Sequence, residues 1–187
     1  MTGRTLGFLF LLTAAGCARH VAPAVHASGP TPIADARGAT PAKLDSIWAQ
    51  IDTAYQRRKW DDVVTLVQRF ALEAPGSDPR VSQGRLYLGD ARVGKHEYLE
   101  AAREYRRVSD ENPLDSLAPD ALLRVGDAYA RLWRRPELDA SYGQTALATY
   151  QELLSRYPNS DPAKQAQLRI AELQDKFAVK QYKAAMY

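Results

Sequence analysis

Residues 88–113 read LGDARVGKHEYLEAAREYRRVSDENP, and this stretch decides the fold. Gly89 is followed by Ala101 after 12 positions, by Tyr105 after four more and by Pro113 after a further eight. A tetratricopeptide repeat, which is a helix pair of 34 residues, places small and large residues at these offsets. The small residues let two helices cross closely, and the proline cannot continue the second helix. The stretch therefore predicts one helix–turn–helix repeat.

The same pattern occurs again farther along the chain. Gly126 has the place of the first small residue, and Ala146, Tyr150 and Pro158 keep the intervals of four and eight. The interval from Gly126 to Ala146 is 20 instead of 12. The extra residues fall within residues 133–143, where proline and glycine predict a loop.

An earlier repeat shows its second half clearly and its first helix, near residues 44–58, only weakly. Its second half has Trp60, Val63, Val67 and Pro75 where the middle repeat has Tyr98, Ala101, Tyr105 and Pro113. Two in-register copies disfavour an unrelated helical bundle with chance spacing. The sequence therefore predicts an all-α solenoid of antiparallel helix pairs.

Two further expectations concern packing and helix starts. Tyr105 and Tyr150 are expected to fill the gap to the neighbouring repeat. Ser77, Ser116 and Ser160 follow the repeat prolines, and serine is a favoured residue for capping the next helix.

The chain after Pro162 predicts one long helix with an apolar face. Apolar residues recur there at intervals of three and four, namely Ala163, Ala166, Ile170, Leu173 and Phe177. The run continues to Tyr187 without a stop signal. Three interpretations stay open: the helix packs back as a cap, its apolar end contacts a partner, or the sequence is a truncated form.

The N-terminus predicts export. Arg4 precedes an apolar run, residues 6–15, that ends in small residues before Cys17, the only cysteine. A positive start, a short apolar stretch and small residues make residues 1–16 a signal peptide. The residues Ala14-Ala15-Gly16-Cys17 resemble the lipobox of bacterial lipoproteins, which implies acylation of Cys17. The alternatives are an ordinary secreted protein and a lone buried cysteine.

Residues 17–42 have many Ala, Pro, Gly and Ser residues without apolar periodicity, and they predict a flexible tether after the acylated cysteine. Residues 43–187 have the size of one domain. With 25 Lys and Arg against 22 Asp and Glu, the chain has a net charge of only +3. Its basic pairs lie in separate segments without interleaved aromatic residues, so no nucleic-acid partner is expected.

No enzyme site is expected from the sequence. Two of the three histidines, His20 and His26, lie in the tether, and His96 stands alone at a turn. There is no metal-ligand spacing, nucleophile–base pair or glycine-rich phosphate loop. We therefore expect no cofactor, no metal and no small-molecule substrate.

The chain resembles the BamD (ComL) family, the tetratricopeptide lipoproteins of the outer-membrane β-barrel assembly machinery, from about Ala54 to Tyr187. The resemblance rests on four features: the lipobox and proline-rich tether, the segment from Trp60 to Ser77, the insert with Arg135-Pro136 and Asp139, and Tyr157-Pro158-Asn159-Ser160 leading into the last helix.

This resemblance implies a scaffold anchored in the outer membrane by Cys17 and facing the periplasm. Its partners are implied to be barrel-assembly subunits, unfolded outer-membrane proteins or both. In a solenoid the first helices of the pairs line a groove, and the expected groove residues are Gln83, Asp90, Asp127 and Arg131. The alternative is a periplasmic repeat protein, associated with the Tol-Pal system, that coordinates cell-wall synthesis with outer-membrane constriction.

Overall fold

The computed structural model describes residues 39–134 and 139–186, and these residues are helical without a strand. The helices are α1 (Pro41–Gln56), α2 (Trp60–Glu73), α3 (Arg80–Gly94), α4 (Tyr98–Glu111), α5 (Ala118–Leu132), α6 (Ser141–Arg156) and α7 (Asp161–Ala185). The predicted all-α class is therefore confirmed.

The helices are arranged as repeats. Each helix packs on the next one in the chain, and α5 also contacts α7. The pairs α1–α2, α3–α4 and α5–α6 are the three predicted repeats, and α7 has the place of the first helix of a fourth. Ala163, Ala166 and Leu173 are buried, so the predicted apolar face of α7 lies against the repeats before it.

The repeat glycines are small because an aromatic ring lies directly on them. A Cβ atom added at Gly89 would lie 2.3 Å from the Tyr105 ring, and one added at Gly126 would lie 2.3 Å from the Tyr150 ring. Each tyrosine therefore fills the crossing inside its own repeat, which corrects the expectation that it fills the gap to the neighbouring one.

The first repeat fills the same crossing differently. Ile51 and Val67 stand 38 residues before Gly89 and Tyr105, and both are fully buried or nearly so. A larger residue on the first helix is thus matched by a smaller one on the second. This exchange of volume explains why the first helix matched the sequence pattern only weakly.

The predicted serine caps are confirmed at one place and wrong at two. Ser160 accepts a hydrogen bond from the backbone N–H of Ala163 at 3.2 Å. Ser77 and Ser116 do not cap, because α3 and α5 begin later than those serines imply. Neighbouring aspartates take over: Asp78 and Asp115 each accept a backbone N–H two residues on, at 2.9 and 3.0 Å, as aspartate in turns commonly does.

The insert is shorter as a loop than predicted. Helix α6 begins at Ser141, so Gly143 lies in its first turn, buried against the ring of Trp133. The indole Nε1–H donates to the carbonyl of Asp139 at 2.8 Å, and the ring centroid lies 4.4 Å from that of Phe177. The tryptophan thus ties the ends of the insert to α7. Residues 135–138, and with them Arg135-Pro136, lie outside the described residues.

The N-terminal part of the domain starts slightly earlier than expected. Helix α1 begins at Pro41, two residues before the expected boundary at residue 43, and Thr40 caps it by accepting the N–H of Lys43. The expected signal peptide, Cys17 and the tether up to residue 38 lie outside the described residues. Among the helices that the structure does describe, none is both long and apolar enough to cross a membrane.

Candidate protein-binding face

An acidic residue recurs at the same place in every first helix of a repeat. The four acids are Asp52 in α1, Asp90 in α3, Asp127 in α5 and Glu172 in α7. The first three each receive a hydrogen bond or ion pair from the next first helix, donated by Tyr87, Arg124 and Arg169 respectively. Each donor stands three residues before the acid of its own helix. We call this series the acid row.

Asp90 is the most enclosed member of the acid row. Its carboxylate accepts the hydroxyls of Tyr55 and Tyr105, both at 2.6 Å, and the guanidinium of Arg124 at 2.7 Å. Only 18% of its side chain is exposed. The carboxylate therefore joins α1, α3, α4 and α5 and is already saturated with donors.

Asp127 has the same partners one repeat later but a more open position. It accepts the hydroxyl of Tyr150 at 2.7 Å and pairs with Arg169, whose Nε lies 3.3 Å away. Its side chain is 34% exposed. Part of this carboxylate therefore remains available at the surface.

Burial and the acid row together hold the tyrosine hydroxyls in their protonated form. Burial, and then the negative charge of Asp90, raises the pKa of Tyr105 above its ordinary value of 10.0. Burial and the charge of Asp127 raise the pKa of Tyr150 in the same way, and burial and a hydrogen bond to Asp90 raise the pKa of Tyr55. Burial and a neighbouring negative charge both disfavour a phenolate.

These pKa shifts predict how stability changes in alkaline solution. A group whose pKa is raised by folding contributes fully below its unfolded pKa, and that contribution is lost as pH rises through the folded value. We therefore expect stability to fall above pH 10.0, the ordinary tyrosine value. In an ultraviolet titration of the ten tyrosines, Tyr55, Tyr105 and Tyr150 should ionise only together with the loss of helical circular dichroism. Early ionisation of all ten in the folded protein would contradict this.

A cleft of about 240 Å³ opens between α5 and α7 beside Asp127. The ring of Tyr150 and the side chain of Leu173 contribute to its lining, and its remaining lining residues are Asp127, Ala130, Arg131, Arg169, Glu172 and Lys176. Arg131 and Lys176 are exposed, and within the described part of the chain neither forms an ion pair. The cleft therefore presents positive charge around the partly neutralised acid row.

The structure brings together only two of the four expected groove residues. Asp127 and Arg131 both line the cleft. Gln83 lies farther toward the N-terminus, half-buried beside Tyr87, and Asp90 is enclosed by its donors.

Sequence reasoning missed Arg169, Glu172 and Lys176. A signal for Arg169 exists, because Arg124 follows Asp90 by 34 residues and Arg169 follows Asp127 by 42. The difference of eight is the length of the insert, so the two arginines are equivalent.

Aromatic side chains cover the first-helix face at the other end of the described domain. The rings of Tyr55 and Tyr87 stack with centroids 3.9 Å apart, and Trp48 stacks on Tyr87 at 5.9 Å. All three side chains are half-buried. Such rings offer a rigid apolar surface with polar edges, which is a common feature of protein-binding sites. Across residues 39–134 and 139–186, no group of three or more metal-binding side chains is close enough to hold an ion.

The stacked helix pairs and this face define the class of the protein: a tetratricopeptide-type repeat scaffold. Residues 41–187 match the family model of the YfiO outer membrane lipoproteins, and the chain belongs to this family. The match supports the resemblance to BamD that the sequence shows. No curated protein sequence matches the chain.

Several solved structures are similar in fold. PcrH in complex with the chaperone binding region of PopD shares 18% identity with a TM-score of 0.58, over 75% of this chain and 98% of that one. The Yersinia enterocolitica type III secretion chaperone SycD, in complex with a peptide of the translocator YopD, shares 15% identity with a TM-score of 0.55. That alignment covers 76% of this chain and 97% of SycD. At these identities the likeness establishes the helical-repeat fold.

Proposed function

We propose that the protein is an outer-membrane-anchored scaffold of the β-barrel assembly machinery and faces the periplasm. In this role it holds partner subunits, unfolded outer-membrane proteins or both. The cleft between α5 and α7 carries the proposal, because it is an open, charged site on the face that repeat proteins use for binding. Membership of an outer membrane lipoprotein family supports the location.

The anchor in this proposal is Cys17, acylated after removal of residues 1–16. Acyl chains contribute about 0.8 kcal/mol for each buried CH₂ group, so several chains together hold a protein stably on a bilayer. The residues from 17 to the start of α1 then serve as a tether. They allow the repeats to reach partners at some distance from the membrane surface.

The ligand in this proposal is an extended protein segment with negative charge. Arg131 and Lys176 leave two cations at the cleft rim without carboxylate partners in the described domain. The structurally similar PcrH and SycD were solved with a segment or a peptide of a second protein, which supports binding of a peptide by this fold. We propose no catalytic role, since repeat scaffolds act by positioning their partners.

Crosslinking from the cleft tests the proposed function. A photo-crosslinking residue at Ala130, which lines the cleft, should capture the barrel-forming subunit or unfolded outer-membrane proteins in the envelope of the native host. The same residue at Gln151, which is exposed on α6, should not. Arg131→Glu should weaken capture about tenfold, equivalent to about 1.4 kcal/mol.

Two outcomes of this experiment would redirect the proposal. Capture of cell-wall synthases or Tol-Pal proteins from Ala130 would favour the role in envelope constriction. Equal capture from Ala130 and Gln151, unaffected by Arg131→Glu, would mean that the cleft is not the binding site. Cys17→Ser, which removes the acylated thiol, should release the protein from the outer membrane and leave its fold unchanged.

A further inference from the structure

Helix α7 carries a third copy of a structural pair that is occupied in the two repeats before it. Gly89-Asp90 and Gly126-Asp127 each combine a small residue with an acid, and Ala171-Glu172 has the same place in α7. Ala171 is exposed, and the Glu172 side chain is 57% exposed. We call Ala171-Glu172 the tyrosine receptor, for the reason given next.

In the two earlier repeats the pair receives a tyrosine from a neighbouring helix. The rings of Tyr105 and Tyr150 lie directly on the glycines, and their hydroxyls donate to the acids at 2.6 and 2.7 Å. No tyrosine of the described residues has this place on Ala171. The Cβ atom of alanine keeps a ring farther from the helix than glycine does, and glutamate is one methylene longer than aspartate. The receptor on α7 therefore suits a tyrosine that approaches less closely.

The same face of α7 also presents an unoccupied tyrosine. Tyr182 is 66% exposed, and it stands 11 residues after Ala171, close to three helical turns. Ala178 and Ala185 are also exposed on this side of α7, so the backbone of a second helix can approach closely. A receptor and its ligand thus lie on one face, about 16 Å apart along the helix axis.

We propose that two copies of the chain pair through α7 in an antiparallel arrangement. Tyr182 of each copy packs on Ala171 of the other and donates its hydroxyl to Glu172 there. A two-fold interface requires that if one residue contacts a second, the second contacts the first, and this spacing satisfies both receptors at once. The surface lies outside the rim formed by Arg131 and Lys176, so the pairing does not rest on the proposed function.

Charge along α7 supports the antiparallel direction. The first half of the exposed face contains the acids Glu172 and Asp175, whereas residues 176–187 contain three lysines and no acid. Antiparallel pairing places the acidic half of each helix beside the basic half of the other. Parallel pairing would instead place like charges together, which is unfavourable in helix pairs.

The size of the contact sets the expected affinity. Pairing over residues 171–186 gives a contact about 24 Å long, and helices of this length bury about 1,000 Å² in total, at the lower limit for specific interfaces. A micromolar dissociation constant is expected for the pair in solution. Anchoring of both copies in one membrane would raise their effective concentration.

Sedimentation velocity of the full chain in detergent tests the proposal. Over about 1 to 200 µM, a range that brackets micromolar affinity, the mass should rise from one copy to two. Tyr182→Ala should weaken the dimer at least tenfold, and Ala171→Gln should do the same by blocking the receptor. Tyr142→Ala changes a tyrosine exposed on α6 and should leave the dimer unchanged.

A crosslink gives a second, independent measurement. Ala178→Cys lies near the two-fold axis of the antiparallel pair, so oxidation should yield a covalent dimer of the folded protein. Lys164→Cys, exposed at the start of the same helix, should not. A single-copy mass at every concentration, or a dimer that tolerates both Tyr182→Ala and Ala171→Gln, would overturn the proposal. The first of these results would assign the receptor to a tyrosine-bearing helix of another protein.

Discussion

Asp90→Ala is expected to lower the free energy of unfolding by about 3 kcal/mol, because it leaves the partly buried charge of Arg124 without its main partner. The hydroxyls of Tyr55 and Tyr105 also lose their acceptor. Burying a donor without an acceptor costs about 1–3 kcal/mol, and water entering the new space offsets part of this. Chemical denaturation followed by circular dichroism measures the difference.

Asp120→Ala is the matched control for this change. Asp120 also pairs with Arg124, at 2.8 Å, but its side chain is 38% exposed on the same helix. Exposed pairs contribute less than about 1 kcal/mol, so the control should be nearly neutral. If Asp90→Ala were no more destabilising than Asp120→Ala, the acid row would not hold the repeats together.

Gly126→Ile is expected to be at least as damaging, with a loss of about 3 kcal/mol or more. The first added carbon alone would lie 2.3 Å from the ring of Tyr150. That ring is fully buried, so relief requires the two helices of the third repeat to move apart. Overpacking of this kind costs about 1–3 kcal/mol for smaller insertions. Thermal and chemical unfolding would both report the loss.

The first repeat supplies the compensating change for this variant. Because Ile51 and Val67 occupy the same crossing there, Gly126→Ile combined with Tyr150→Val should recover much of the lost stability. Recovery should remain incomplete, since Asp127 loses the hydroxyl of Tyr150. Gly76→Ala, where a Cβ atom meets nothing within 4 Å, should be close to neutral. A double variant as unstable as Gly126→Ile alone would show that volume at the crossing is not the cause.

The sequence was sufficient for the fold because small residues, tyrosines and prolines act locally. Gly89 and Tyr105 meet within one helix pair, so their spacing alone predicts their contact. The helix starts at Ser77 and Ser116 were less predictable, because an adjacent aspartate competes with each serine for the same backbone N–H groups. A difference of one or two residues at a helix start decides that competition.

The binding face was only half predictable, for a different reason. Asp90 and Asp127 have the same sequence context, yet one is enclosed and the other lies in an open cleft. The difference depends on Tyr55, which reaches Asp90 from the first repeat and has no counterpart beside Asp127 among the described residues. Contacts between repeats are long-range, and a pattern within one repeat does not contain them.

The acid row gives the domain a direction. Each acid is neutralised by the helix that follows it, so every repeat depends on its successor more than on its predecessor. Local opening in a repeat array therefore has a gradient: amide hydrogens should exchange slowest around α4 and α5 and fastest in α7, where Glu172 has no successor among the described residues. A second copy seated on α7 would close that last junction and extend slow exchange to the end of the helix.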